Sequence, residues 1–138
     1  MSMQDIRSYK LYSILQEQQM PPAANTGGDC YEAAVNFVMA ECSFGDADDC
    51  DFTIVHGEVA GQGPLEGYTF GHAWVLKDGM VIDRSNGRDV QMPKKLYYAL
   101  GQIDRINNVW EYPWRQARNM ILNYEHYGPW DLETSSGY

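Results

Sequence analysis

Residues 68–85, YTFGHAWVLKDGMVIDRS, decide the expected fold of this chain. Their β-branched and aromatic residues predict two strands, YTFGHAWVL and VIDRS. Between the strands, Asp78 and Gly79 are typical of the two-residue turn that joins an antiparallel hairpin. This turn pairs Lys77 with Met80, and that pair fixes the register of the hairpin.

The register of the hairpin places two titratable residues close together. His72 is expected to face Ser85 and Trp74 to face Asp83, with all four side chains on one face of the sheet. Asp83 is then the diagonal neighbour of His72, about 7–8 Å away between Cα atoms and within reach of a histidine–carboxylate hydrogen bond. A slip of one residue would move Asp83 to the opposite face. The turn therefore aims a carboxylate at His72.

The segments around the hairpin complete an α+β pattern in one domain, residues 1–138. Strands joined by short turns are antiparallel, so we expect N-terminal helices packed on a small antiparallel sheet, followed by C-terminal helices. The length of 138 residues is enough to bury a core. Apolar spacing and turn signals predict the other elements as helices over 4–20 and from Asp29, a strand over 51–59, and helices from Pro93 and Trp114.

The bulk composition argues against two classes of partner. The net charge of −9, from 19 acidic residues against 10 Lys and Arg, opposes binding to nucleic acid. No apolar run reaches the length of a membrane span, and the start MSMQDIRSYK does not resemble a signal peptide. The odd number of cysteines (Cys30, Cys42 and Cys50) is typical of free thiols in a reducing compartment. We therefore expect a cytoplasmic protein, or one in the host cytoplasm if the source is viral.

One cysteine lies at a position that activates a thiol. In NTGGDCYEAAVNFV, residues 25–38, Asp29 is a good N-cap and Glu32 completes a capping box, so Cys30 begins a helix. The unpaired N–H groups and the dipole at a helix start favour a thiolate. Gly28 leaves space for a substrate before the helix. Cys30 is therefore a candidate nucleophile, whereas the other two cysteines are interpreted as structural.

A nucleophilic cysteine needs a general base, and His72 fits this role better than His56 or His126. Asp83 can orient His72, whereas His126 is expected at the surface near a helix end and His56 has no comparable carboxylate after it. The strand face that holds His72 is bulky and apolar. We therefore expect this face to pack on the helix of Cys30.

Three short motifs in this order, GDCYEAA, GHAWV and VIDRSNG, resemble the papain-like cysteine superfamily, and the transglutaminase-like branch is the nearest. The resemblance covers residues 25–88. It implies a papain-like fold with Cys30 as nucleophile, His72 as general base and Asp83 as the residue that orients His72. Two features depart from the family pattern. Asp83 is followed by Arg-Ser-Asn rather than Pro-Thr, and Ala-Asn stands near the place where papain-like proteases have a glutamine.

Further site residues are expected from what the chemistry requires. An amide donor must stabilise the developing oxyanion, and Asn25 or Gln62 is expected to supply it together with the backbone N–H of Cys30. The substrate cleft is expected to be lined by Gly28, Asp29 and Trp74.

The expected function is that of a cysteine-dependent hydrolase or acyltransferase that acts on amide bonds through a thioester. Peptidase, amidase, deamidase and transglutaminase-like activities share the first half of this chemistry and stay open, as do peptide, protein and small amide substrates. No cofactor is implied. One alternative is an inactive papain-like scaffold that binds a peptide or a partner protein. Another is a zinc site of Cys30, His72 and Asp83, which lacks any closely spaced pair of ligands.

Overall fold

The computed structural model describes residues 29–42, 50–61, 66–103 and 108–133. The predicted helix over 4–20 lies outside these residues. The elements in chain order are α1 (Asp29–Glu41), β1 (Thr53–Ala60), β2 (Thr69–Lys77), β3 (Met80–Asp83), a 3-10 turn (Ser85–Gly87), β4 (Val90–Pro93), α2 (Lys94–Leu100), β5 (Val109–Pro113) and α3 (Trp114–Tyr124).

The strands form one five-stranded antiparallel sheet in the order β4-β3-β2-β1-β5. A helix before the sheet and two short helices within and after it make the chain an α+β protein, as predicted. None of the helices in the described ranges is both long and apolar enough to cross a membrane.

The hairpin between β2 and β3 has the predicted register. Lys77 pairs with Met80, and the turn residues Asp78 and Gly79 have φ values of 52° and 78°. Positive φ at both central residues is the geometry of the type I′ turn, which aspartate and glycine tolerate well. The β2–β3 ladder ends at the pair of Val75 with Ile82, one pair before the predicted pair of Trp74 with Asp83, and Asp83 pairs with Val90 of β4.

The sheet is buried on both faces. On one face, α1 and α3 pack on Ile54, Ala73, Val75 and Ile82. On the other face, α2 covers a cluster of large side chains from four strands. That cluster consists of Val55, Val59, Phe70, Trp74, Val81, Val90 and Met92.

The prediction that the bulky face of β2 packs on α1 was wrong. The bulky face that carries Phe70 and Trp74 packs on α2, and the ring of Trp74 lies 5.4 Å from Tyr97 and 5.6 Å from Tyr98 between centroids. The smaller side chains of the opposite face, such as Ala73, leave the room that a close-packed helix requires, so α1 lies there.

The expectation of three free thiols was also wrong. Cys42, just after α1, and Cys50, just before β1, form a disulfide with their Cα atoms 5.9 Å apart. Because α1 and β1 share one core, Cys42 and Cys50 come within the range that a disulfide spans. Cys30 is the remaining free cysteine, and it is buried.

Candidate active site

Cys30, His72 and Asp83 meet at the point where the β2–β3 ladder has ended. Cys30 lies in the first turn of α1, His72 in the middle of β2, and Asp83 at the last position of β3. His72 Nε2 donates to Asp83 Oδ2 at 3.0 Å, and Cys30 lies close enough to His72 to raise its pKa. Because Asp83 occupies Nε2, Nδ1 is the nitrogen that a second partner would use. All three residues are buried.

The charges around His72 favour its protonated form. Burial alone lowers the pKa of His72, but the negative charges of a Cys30 thiolate and of Asp83, with their hydrogen bonds, outweigh burial and raise the pKa to about 9. At neutral pH this favours the imidazolium form of His72 beside the Asp83 carboxylate. An imidazolium beside a cysteine is the arrangement that supplies an acid for the leaving group in acyl transfer.

Asp83 has several partners in addition to His72. Its Oδ1 accepts hydrogen bonds from the backbone N–H of Ser85 at 3.0 Å and from the Ser85 hydroxyl at 2.6 Å. Its Oδ2 accepts a second bond from the Tyr97 hydroxyl at 2.9 Å, and Arg88 Nη1 lies 3.8 Å away. Burial works to raise the pKa of Asp83, but His72, Arg88 and Ser85 together hold it well below its usual range. The carboxylate therefore stays ionised at neutral pH.

Three of these partners were not assigned to the site from the sequence. Ser85 carries a local signal, because an aspartate often bonds to the backbone two residues later in an Asx turn. Arg88 and Tyr97 carry no such signal, since no periodic pattern links them to Asp83. Tyr97 comes from α2, on the opposite face of the sheet from most of α1.

Cys30 borders a narrow recess. Ala34, Phe37, Arg84 and Ser85 line the recess with Cys30, and it is too narrow to hold a water molecule. At its rim, the half-exposed Arg84 guanidinium lies 4.9 Å from the centroid of the Phe37 ring and 3.0 Å from a carboxylate oxygen of Asp89.

The predicted cleft and oxyanion residues have different outcomes. Trp74 borders the recess but is a core side chain, 1% exposed, whose Nε1 donates to the Tyr98 hydroxyl at 3.3 Å. Asp29 is partly exposed and lies inside α1 as its first residue. Asn25, Gly28 and Gln62 lie outside the described residues, so their roles stay predictions.

The other two histidines lie elsewhere. His56 is fully buried, and burial lowers its pKa to about 3, so it is neutral at physiological pH. Glu58, which shares its strand face, accepts a hydrogen bond from Asn108 instead. His126 is exposed, and its Nδ1 accepts a hydrogen bond from the backbone of Gly128.

Within the part of the chain that the structure describes, no group of three or more His, Cys, Asp and Glu side chains is arranged to hold a metal ion.

Comparison with protein-family models, with curated proteins and with solved structures found no match to this chain. The papain-like resemblance therefore rests on the residues themselves.

Proposed function

We propose that this protein is a cysteine-dependent hydrolase or acyltransferase that acts on amide bonds, with a site of the papain-like, transglutaminase-like kind. The observation that carries the proposal is the buried cluster of Cys30, His72 and Asp83, in which His72 is hydrogen-bonded to Asp83 and is coupled electrostatically to Cys30. A structural histidine needs only one partner to satisfy its buried donor, whereas His72 has both a carboxylate and a thiol beside it, and both groups suit acyl transfer.

In the proposed reaction, the Cys30 thiolate attacks the carbonyl carbon of an amide and forms a tetrahedral intermediate. The C–N bond then breaks as His72 gives its Nδ1 proton to the leaving amine, which leaves a thioester on Cys30. Neutral His72 next takes a proton from water, and the resulting hydroxide displaces the sulfur, or a second amine does so in a transfer reaction. Asp83 stays ionised throughout and holds the Nε2–H of His72.

Several parts of the proposal rest on the sequence. The oxyanion would be stabilised by the N–H of Cys30 with Asn25 or Gln62, and the substrate would be a peptide, a protein or a small amide. The papain-like fold and the cytoplasmic location belong to the same proposal. A disulfide between Cys42 and Cys50 is uncommon in a reducing compartment, so its redox state in cells tests the location.

The first test is the rate at which iodoacetamide labels Cys30 as a function of pH. The chain has three cysteines and two of them form the disulfide, so labelling of the oxidised protein reports Cys30 alone. At pH 6 we expect the wild type to label at least about tenfold faster than His72→Ala, because the imidazolium stabilises the thiolate. His126→Ala is the matched control and should label like the wild type. Equal rates in wild type and His72→Ala would overturn the proposal.

The narrowness of the recess, which cannot hold a water molecule, favours one second candidate, a catalytically inactive papain-like scaffold that binds a peptide or a partner protein. This candidate predicts that Cys30 is inert at pH 6 and that no thioester forms with amide substrates. Trapping of the thioester with hydroxylamine, after incubation with glutamine-containing peptides and small amides, distinguishes the two.

A further inference from the structure

The hydroxyl of Tyr97 shares a carboxylate oxygen with His72. It donates to Asp83 Oδ2 at 2.9 Å, and the same oxygen accepts the Nε2–H of His72 at 3.0 Å. Tyr97 is buried, on α2, and its ring packs on Trp74. The hydroxyl therefore reaches the site from an element that contributes no group to the proposed chemistry itself.

The two oxygens of Asp83 are held by different groups. Ser85 fixes Oδ1 through two hydrogen bonds. Oδ2 is held in place by its own partners, His72 and Tyr97. Tyr97 supplies a neutral donor there, since burial and the charge of Asp83 raise its pKa well above the usual range. The nearby Arg88 guanidinium is farther, at 3.8 Å.

We propose that Tyr97 is a positioning residue: it fixes Asp83 Oδ2 on His72 Nε2 and so keeps His72 Nδ1 on the Cys30 sulfur. As a role in acyl transfer, this inference rests on the proposed function. That Tyr97 positions Asp83 and His72 does not depend on acyl transfer, and this positioning can be tested in the absence of any activity.

The chain offers a matched pair of variants. Tyr97→Phe removes the hydroxyl on Asp83, whereas Tyr98→Phe removes a neighbouring buried hydroxyl that accepts from Trp74. Both variants keep the ring and its packing. At pH 6 the labelling rate of Cys30 should fall about tenfold in Tyr97→Phe, as expected when one hydrogen bond to a charged group is lost. In Tyr98→Phe it should change by less than about twofold, because that hydroxyl does not touch Asp83.

A second readout does not depend on thiol reactivity. The imidazole ¹⁵N and N–H signals of His72 report which nitrogen carries the proton and how fast it exchanges with water. The Nε2–H of His72 should exchange faster in Tyr97→Phe than in Tyr98→Phe or wild type. Equal exchange in the two variants would overturn the inference. In unsubstituted protein, a nuclear Overhauser effect between that proton and the Tyr97 hydroxyl proton is expected, and its absence would also overturn it.

The two readouts separate the inference from the proposed function. If wild-type Cys30 labels no faster than in His72→Ala, the proposed function fails. The rate at which the His72 Nε2–H exchanges with water still decides whether Tyr97 positions Asp83 and His72.

Discussion

His56 should make the stability of this protein strongly dependent on pH. Its ring is fully buried, with the rings of Tyr31, Tyr112 and Trp130 at 4.9, 5.0 and 4.9 Å between centroids. In the described part of the chain, neither ring nitrogen has a hydrogen-bond partner. Burial without a partner lowers the pKa of His56 to about 3, because nothing there compensates a positive charge.

The size of the effect follows from linkage. Above the ordinary pKa of about 6.5, His56 is neutral in both the folded and the unfolded chain. As the pH falls below that value, the unfolded chain takes up a proton that the folded chain cannot accept until the pH approaches 3. The folded state therefore loses stability on acidification. Between pH 7 and pH 5 the loss is about 2 kcal/mol, at about 1.4 kcal/mol for each pH unit below the unfolded pKa.

The perturbation is His56→Leu, which has a similar volume and cannot titrate. At pH 7 the change in stability should be small. Removal of the unpaired nitrogens stabilises by about 1–3 kcal/mol, and loss of the ring contacts costs a comparable amount, about 0.5–1.5 kcal/mol for each aromatic pair. At pH 5 the variant should gain a further ~2 kcal/mol relative to the wild type.

Urea denaturation of both proteins at pH 7 and pH 5 measures this difference. Every other titrating group is common to the two proteins, so comparing the wild type with the variant cancels their contributions. That includes His72, whose raised pKa acts in the opposite direction. The free energy of unfolding of the variant minus that of the wild type could be the same at both pH values to within about 0.5 kcal/mol. His56 would then not be buried as a neutral group, contrary to this prediction.

Two further predictions concern the candidate site and the disulfide. The raised pKa of His72 supplies stability that is complete below about 6.5 and is lost as the pH rises through about 9. Asp83→Asn removes one cause of that shift, so urea midpoints of the variant should fall less between pH 7 and pH 9 than those of the wild type; equal slopes would contradict the coupling. Cys42→Ser removes the disulfide between Cys42 and Cys50, which are 8 residues apart in the sequence. It should cost about 2–3 kcal/mol in urea unfolding under oxidising conditions, and reductant should bring the wild type to the same value without changing the variant.

The hairpin could be predicted because the Asp-Gly pair favours one type of two-residue turn. Asp78 and Gly79 both adopt positive φ, and this two-residue turn leaves one register for β2 and β3. Once the register is fixed, Asp83 comes within reach of His72, and the hydrogen bond between them is present. A local signal was therefore enough to place two titratable side chains together.

The packing of β2 could not be predicted from its pattern. The strand is apolar on both faces, so alternation does not show which face meets α1. The volumes of side chains on the partner elements decide it: the aromatic residues of α2 accommodate Trp74, and the small Ala73 leaves space for α1. The disulfide has the same origin, because the distance between Cys42 and Cys50 depends on how α1 packs against β1.

The buried charges of the candidate site balance in pairs. Asp83 lies 3.8 Å from Arg88, and both residues are buried, so that pair is neutral as a unit. Cys30 and His72 are also neutral as a unit, whether the proton lies on the sulfur or on the imidazole. A proton can therefore move between them without changing the net charge of a region that water does not screen. If Arg88 were lost, Asp83 would become an uncompensated buried anion unless His72 kept its proton, and His72 could no longer release it readily. Arg88 therefore shares with His72 the compensation of the buried Asp83 carboxylate.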